Sequence, residues 1–118
     1  MSPISRHAPF MVVSFPEADW RLLHALEASV FERLDTRLLH GVQAALQAPG
    51  SSASRVASID TLLRERNRVG SAIAPLFRRS KALILVVTLR YAALLTDEEF
   101  DSLSHATREA VLRALSVS

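Results

Sequence analysis

Residues 15–48, FPEADWRLLHALEASVFERLDTRLLHGVQAALQA, decide the fold class. Trp20, Leu23, Val30, Phe31, Leu34, Leu38 and Val42 recur at three- and four-residue intervals, the spacing that lines one face of an α-helix. Upstream, Ser14 followed by Pro16 and Glu17 fits a capping box: a serine hydroxyl accepts from a first-turn amide, a glutamate reaches back, and proline sits where no donor is missed. The pattern predicts a long first helix over about residues 15–48, with a bend near Gly41.

After this stretch, APGSSASR (Ala48–Arg55) is the clearest loop, rich in Pro, Gly and Ser. A second helix is expected from near Ser54, with Val56, Ile59, Leu63, Val69, Ile73 and Phe77 on one side. Pro75 should kink or end it, because its ring clashes with the carbonyl four residues back and one amide is lost. A third helix, Ser80–Leu95, is apolar nearly all round and so belongs at the centre, with its β-branched run leaving a strand as the alternative. Thr96-Asp97-Glu98-Glu99 is a second capping box opening a short helix to about Leu103, and Ser104 caps a last one. On that last helix, Thr107, Val111 and Leu115, or Ala110 and Ala114, face inward. Upstream of all this, Pro3 and Pro9 bias residues 1–13 towards an extended or disordered arm.

Composition agrees. In 118 residues, 49% hydrophobic, there are 18 Leu and 17 Ala, both good helix formers, against three Gly and five Pro. The expectation is an all-α protein: one domain over residues 14–118, a compact bundle of about four to five helices. In it the long first helix runs antiparallel to the second, and the apolar third is central.

Charge sorts by segment. Arg55–Arg90 holds eight basic residues against Asp60 and Glu65, while residues 14–48 and 96–118 are net acidic, and the whole chain is +2. Such a layout suits either a central element neutralised by its flanks or a basic surface for an anionic partner, and the first is the simpler. Thirteen of the fourteen basic residues are Arg, which we read as codon bias of a GC-rich, bacterial genome before a sign of phosphate recognition.

Three charges fall where a helical projection expects apolar residues. Glu27 lies within the arc of Leu23, Val30, Leu34 and Leu38; Arg66 lies within that of Ile59, Leu63, Val69 and Ile73; Arg90 interrupts the third helix. A lone buried charge is costly, so three readings stand open. Glu27 pairs with Arg66 or Arg90 to fix helix register, or these faces form a homodimer or partner interface, or Arg66 and Arg90 line a pocket for a carboxylate or phosphate.

Most chemistry is disfavoured. With no Cys there are no disulfides, zinc ribbons or thiol nucleophiles, and absence of disulfides leans towards cytoplasm. Phe10–Val13 is short for a secretory segment, and Ala82–Leu95, about 14 residues, is short of the roughly 20 that span a bilayer, so no membrane association is expected. No Glu has a His three residues later, although His24 shares a face with Glu27 and His105 with Glu109, so no metal is expected. There is no Gly-x-Ser-x-Gly elbow, no phosphate-cradling loop and no dinucleotide fingerprint, so neither cofactor nor catalytic residue is expected.

What remains is an interaction or regulatory protein that associates with itself or with a protein partner through apolar helix faces, the apolar content being more than one small bundle hides. The alternative is nucleic-acid or anion binding through Arg64, Arg68, Arg78, Arg79 and Lys81. The acidic flanks and small net charge weigh against it.

Overall fold

The computed structural model describes residues 15–117, and every regular element among them is helical. Six α-helices follow in order: α1 (Glu17–Ala25), α2 (Glu27–Gln47), α3 (Ser52–Ile73), α4 (Ala82–Tyr91), α5 (Asp97–Asp101) and α6 (His105–Ser116), with single 3-10 turns at Ala74–Leu76 and Arg79–Lys81. Ser14 and the N-terminal arm 1–13 lie outside the described residues; Pro16 stands at the N-cap of α1.

The long first helix is two helices. At Leu26 the backbone flattens to φ −89°, ψ −4°, and its amide bonds back to Leu23 in a tighter turn. The break changes the setting of Glu27. An acid that a continuous helix would bury in mid-face becomes the first residue of α2, where the helix dipole favours negative charge.

The following loop is shorter than Ala48–Arg55. Ser51 is the cap, its Oγ accepting from the Ser54 amide at 3.1 Å, so α3 begins at Ser52. Gly50 takes φ +122°, a conformation that only glycine adopts without strain. Arg55 Nε donates to the Ala48 carbonyl and satisfies one of the open acceptors at the end of α2. The chain therefore reverses in four residues, and α2 and α3 lie side by side as an antiparallel hairpin.

Pro75 ends α3 as its chemistry requires, through the 3-10 turn Ala74–Leu76. Helix α4 is shorter than the span Ser80–Leu95. It closes in a Schellman motif, the Leu94 amide bonding to the Leu89 carbonyl and the Ala93 amide to that of Arg90, with Leu89 and Leu94 both fully buried. The position that usually takes glycine is Ala93, at φ +56°. Thr96 and Glu99 form the capping box of α5, and Ser104 caps α6.

The core is confined to one end. Leu23, Val30, Leu34, Ile73, Leu85, Val86, Leu89, Leu94, Phe100, Leu103 and Val111 belong to a single buried cluster, to which the stretch between Asp35 and Ala72 adds only the half-buried Val69 at its edge. Over that stretch only Ala45 and Gly70 are buried. The molecule is accordingly long, 71 × 27 × 23 Å with a radius of gyration of 18.5 Å, where a compact chain of this size has about 13 Å. It consists of a packed head, formed by α1, α4, α5, α6 and the near ends of α2 and α3, with the rest of the hairpin projecting from it. Helix α4 supplies the centre of that head, yet Ile84 and Tyr91 remain exposed on its outer side.

Candidate functional site

The hairpin is held by one narrow seam. Gly41 allows close approach to α3: a Cβ there would stand 3.1 Å from Leu62 Cδ1. Nearer the head, Arg66 Nε donates to Asp35 Oδ1 at 2.6 Å. These two contacts set the register and put Leu39 level with Leu63, and Leu46 level with Val56.

All four of those residues are solvent-exposed: Leu39 64%, Leu46 60%, Val56 66% and Leu63 46%. Leu39 and Leu46 are seven apart, as are Val56 and Leu63, so each pair forms a line along its helix about 10 Å long. Seen from one end, antiparallel helices wind in opposite senses. At about 100° per residue, the Leu39 line falls a quarter turn beyond the seam of α2 and the Val56 line a quarter turn beyond that of α3, on the same side of the hairpin. Half-buried Val42 and Ile59 fill the space between. The result is one continuous aliphatic face, ended towards the head by the Asp35–Arg66 pair and at the tip by the Ala48–Ser51 loop.

The opposite side of α2 is committed to the head. Arg33 Nη1 donates to the Leu94 carbonyl and to Glu99 Oε1 at 2.8 Å, and Nη2 donates to Glu99 Oε2. One turn on, the two Nη atoms of Arg37 take the carbonyls of Ala92 and Ala93 at 2.9 and 2.8 Å. The Glu99 carboxyl is held below the ordinary carboxylate range by Arg33 first, and by Thr96 as well, while Arg33 is raised by Glu99. A shallow depression lined by Glu32, Arg33, Thr36, Arg37 and His40 lies alongside. Its two arginines are already spent on carbonyls and Glu99, so they offer no grip for an anion.

The residues singled out from sequence are not gathered. Glu27, Arg66 and Arg90 do not meet: Glu27 stands in the first turn of α2, and each arginine pairs with another acid. Arg66 takes Asp35, and Arg90 takes Asp97 Oδ1 at 3.0 Å and the Leu95 carbonyl, with its guanidinium 4.5 Å over the Phe100 ring. The basic stripe is largely neutralised. Arg64 pairs with Asp60, Arg68 with Glu65 and Arg79 with Glu17, leaving Arg78 and Lys81 without a carboxylate among the described residues. His24 packs against Trp20, ring centroids 5.4 Å apart, and no three His, Asp or Glu side chains among the described residues are placed to share a metal ion.

Sequence reasoning missed Asp19 and the exposed face. Asp19 is 3% exposed and accepts from the Ser104 amide, Ser104 Oγ and Thr107 Oγ1. The face was hidden because Val56, Ile59 and Leu63 are correctly spaced for burial, but the seam is made by their neighbours Leu62 and Arg66. A signal was present: each helix carries apolar residues over an arc wider than a two-helix seam needs, as helices of larger bundles do.

Fold and surface together define an all-helical protein with a projecting hairpin. Comparison with protein families, with curated proteins and with solved structures finds no match for this chain. No helix among the described residues is long and apolar enough to cross a membrane.

Proposed function

We propose that this is a non-catalytic interaction protein whose contact surface is the aliphatic face of the α2–α3 hairpin. One observation carries the proposal: Leu39 with Leu63 and Leu46 with Val56 stand exposed in two level pairs on a projection that has no core of its own. Exposed apolar residues scattered singly need no explanation, but a contiguous patch on one face marks an association site. The other large exposed apolar residues among those described, Leu22, Ile84, Tyr91, Leu112 and Val117, lie outside the hairpin.

The test is the double substitution Leu39→Glu, Leu63→Glu. Both side chains are exposed, so the melting temperature should change little. Association, measured as mass in solution by light scattering and as recovery of a stoichiometric protein partner, should be lost. A wild-type protein and variant that behave alike in both assays would remove the proposal.

Phosphate binding by Arg64, Arg68, Arg78, Arg79 and Lys81 is the weaker reading, since three of the five already hold carboxylates. Retention of mixed DNA or RNA at about 50 mM salt, falling steeply as salt rises, would revive it.

A further inference from the structure

Resting on that reading, we infer that the occupant of the open face is a second copy of this chain, laid antiparallel across it, so that two hairpins make a four-helix bundle with the heads at opposite ends.

The face is symmetric in the way such an arrangement requires. Its two level pairs are equidistant from a line through Val42 and Ile59. A two-fold axis along that line sets Leu39 over Leu46 of the second copy, and Leu63 over its Val56, so every exposed aliphatic meets another. The charged Asp35–Arg66 pair, just beyond the apolar band, then lies over the uncharged Gly50–Ser51 turn of the other chain. An isologous contact of this kind closes on itself and leaves no aliphatic residue of the face uncovered.

The apolar area is concentrated on this one face. Exposures of 46–66% on three leucines and a valine amount to roughly 400 Å² of apolar surface per copy, within the range of the largest, often functional, patch on a protein surface. Two copies would together cover about 800 Å² of apolar surface, to which the exposed rim residues Gln43 and Asp60 add, towards the roughly 1,200 Å² at which stable interfaces begin. Antiparallel stacking also keeps apart the heads, which carry the uncommitted Arg78 and Lys81. Parallel stacking would set the Asp35–Arg66 pairs side by side and bring the two basic turns to the same end.

Absence of cysteine makes the test clean, because each introduced thiol is the only one in the chain. Gln43 and Asp60 are exposed and lie on the rim close to the axis, on α2 and α3 respectively. In the antiparallel dimer, Gln43→Cys should link to itself under mild oxidation at micromolar concentration, and Asp60→Cys to itself, while Glu32→Cys, away from the axis, should not. Light scattering should give the mass of two 13.0 kDa chains, and Leu39→Glu with Leu63→Glu should weaken association roughly 30-fold or more, as loss of hot-spot contacts does.

Links that form only when the Gln43→Cys and Asp60→Cys chains are mixed would overturn the antiparallel arrangement, since they report α2 lying over α3. A monomer at high micromolar concentration with no links would overturn the second copy as occupant. The face as a contact surface would survive that result only if a different protein is bound and is released by the Leu39→Glu, Leu63→Glu variant. Loss of nothing in either assay would end both inferences.

Discussion

Asp19 and Thr107 stand 88 positions apart in the chain, and Asp19 Oδ2 accepts a hydrogen bond from Thr107 Oγ1 at 2.6 Å. The same carboxylate takes the amide and hydroxyl of Ser104, at 2.9 and 2.6 Å, so a side chain of α1 supports the N-terminus of α6. This is an N-cap served from a distant element. Negative charge there matches both the orphan amides and the helix dipole. It joins the first described helix to the last and closes the head around Leu23 and Val111, both fully buried.

Replacing Asp19 with Ala should therefore cost far more than loss of one surface acid. Three donors would be left without their acceptor at a site 3% exposed, and an unsatisfied buried group costs about 1–3 kcal/mol. A loss of about 2–4 kcal/mol is expected, seen in thermal melting as a fall on the order of 10–20 °C. Asp19→Asn keeps an acceptor for the Ser104 amide and should lose less. A melting temperature within 2 °C of wild type for the Ala variant would show that the head does not depend on this link (estimated from the same scaling, ~0.5 kcal/mol).

The same site sets an acid limit. Burial alone pushes the Asp19 carboxyl up, but the bonds from Ser104 and Thr107 outweigh it and hold it below the usual carboxylate range; Glu99 is lowered as well, by Arg33 above all. A carboxyl depressed in the folded state stabilises fully above its unfolded pKa, about 4, and that stability is lost as pH falls through the lower folded value. Melting temperature should thus be flat with respect to these groups above about pH 5 and fall steeply below about 4. In Asp19→Asn and Glu99→Gln the fall should be shallower. Equal acid sensitivity in both variants and wild type would assign it to other carboxylates.

How far the sequence foretold this molecule follows from the range of the forces involved. Thr96 with Glu99, Ser104 and Pro75 act within a few residues of themselves, and the structure shows each doing what local chemistry requires. Helical class is likewise local, being carried by Leu, Ala and a spacing of three and four. What periodicity cannot say is how much of an apolar arc is covered. Val56 and Leu63 have the spacing of core residues, but the head lies on the Arg33–Arg37 side of α2 and leaves them in solvent. The partners of Glu27, Arg66 and Arg90 failed for a related reason. A break at Leu26 placed Glu27 at the start of a helix, and the arginines pair with Asp35 and Asp97, acids that the spacing of apolar residues does not single out.

The turn after α4 offers a gain in stability. Ala93, at φ +56°, is the one residue other than glycine with positive φ among those described. A left-handed L-residue costs about 1–2 kcal/mol, and glycine there gives back part of that through its greater freedom in the unfolded chain. Ala93→Gly should stabilise by about 0.5–1 kcal/mol, and Ala93→Val should destabilise by more than that, since branching at Cβ deepens the clash. Chemical denaturation of the three proteins decides it; a glycine variant less stable than wild type would mean that the Ala93 methyl does packing work that its exposed position does not suggest.

Arg33 and Glu99 explain how that strained turn is held. The guanidinium spans from α2 to the first turn of α5, forked across both carboxylate oxygens, while its Nη1 also takes the Leu94 carbonyl. With side-chain exposures of 32% and 20%, the pair is screened less than a surface bridge but still wet, so its coupling should be about 1 kcal/mol, at the upper end of the roughly 0.2–1 kcal/mol of exposed pairs. A double-mutant cycle with Arg33→Met and Glu99→Gln measures it directly. Arg33→Lys should recover little of the loss, because a point charge cannot bridge two carboxylate oxygens and a carbonyl at once. If Lys restored wild-type stability, the bond would be one of charge alone, and the fork that fixes the α4–α5 turn against the hairpin would carry no energy of its own.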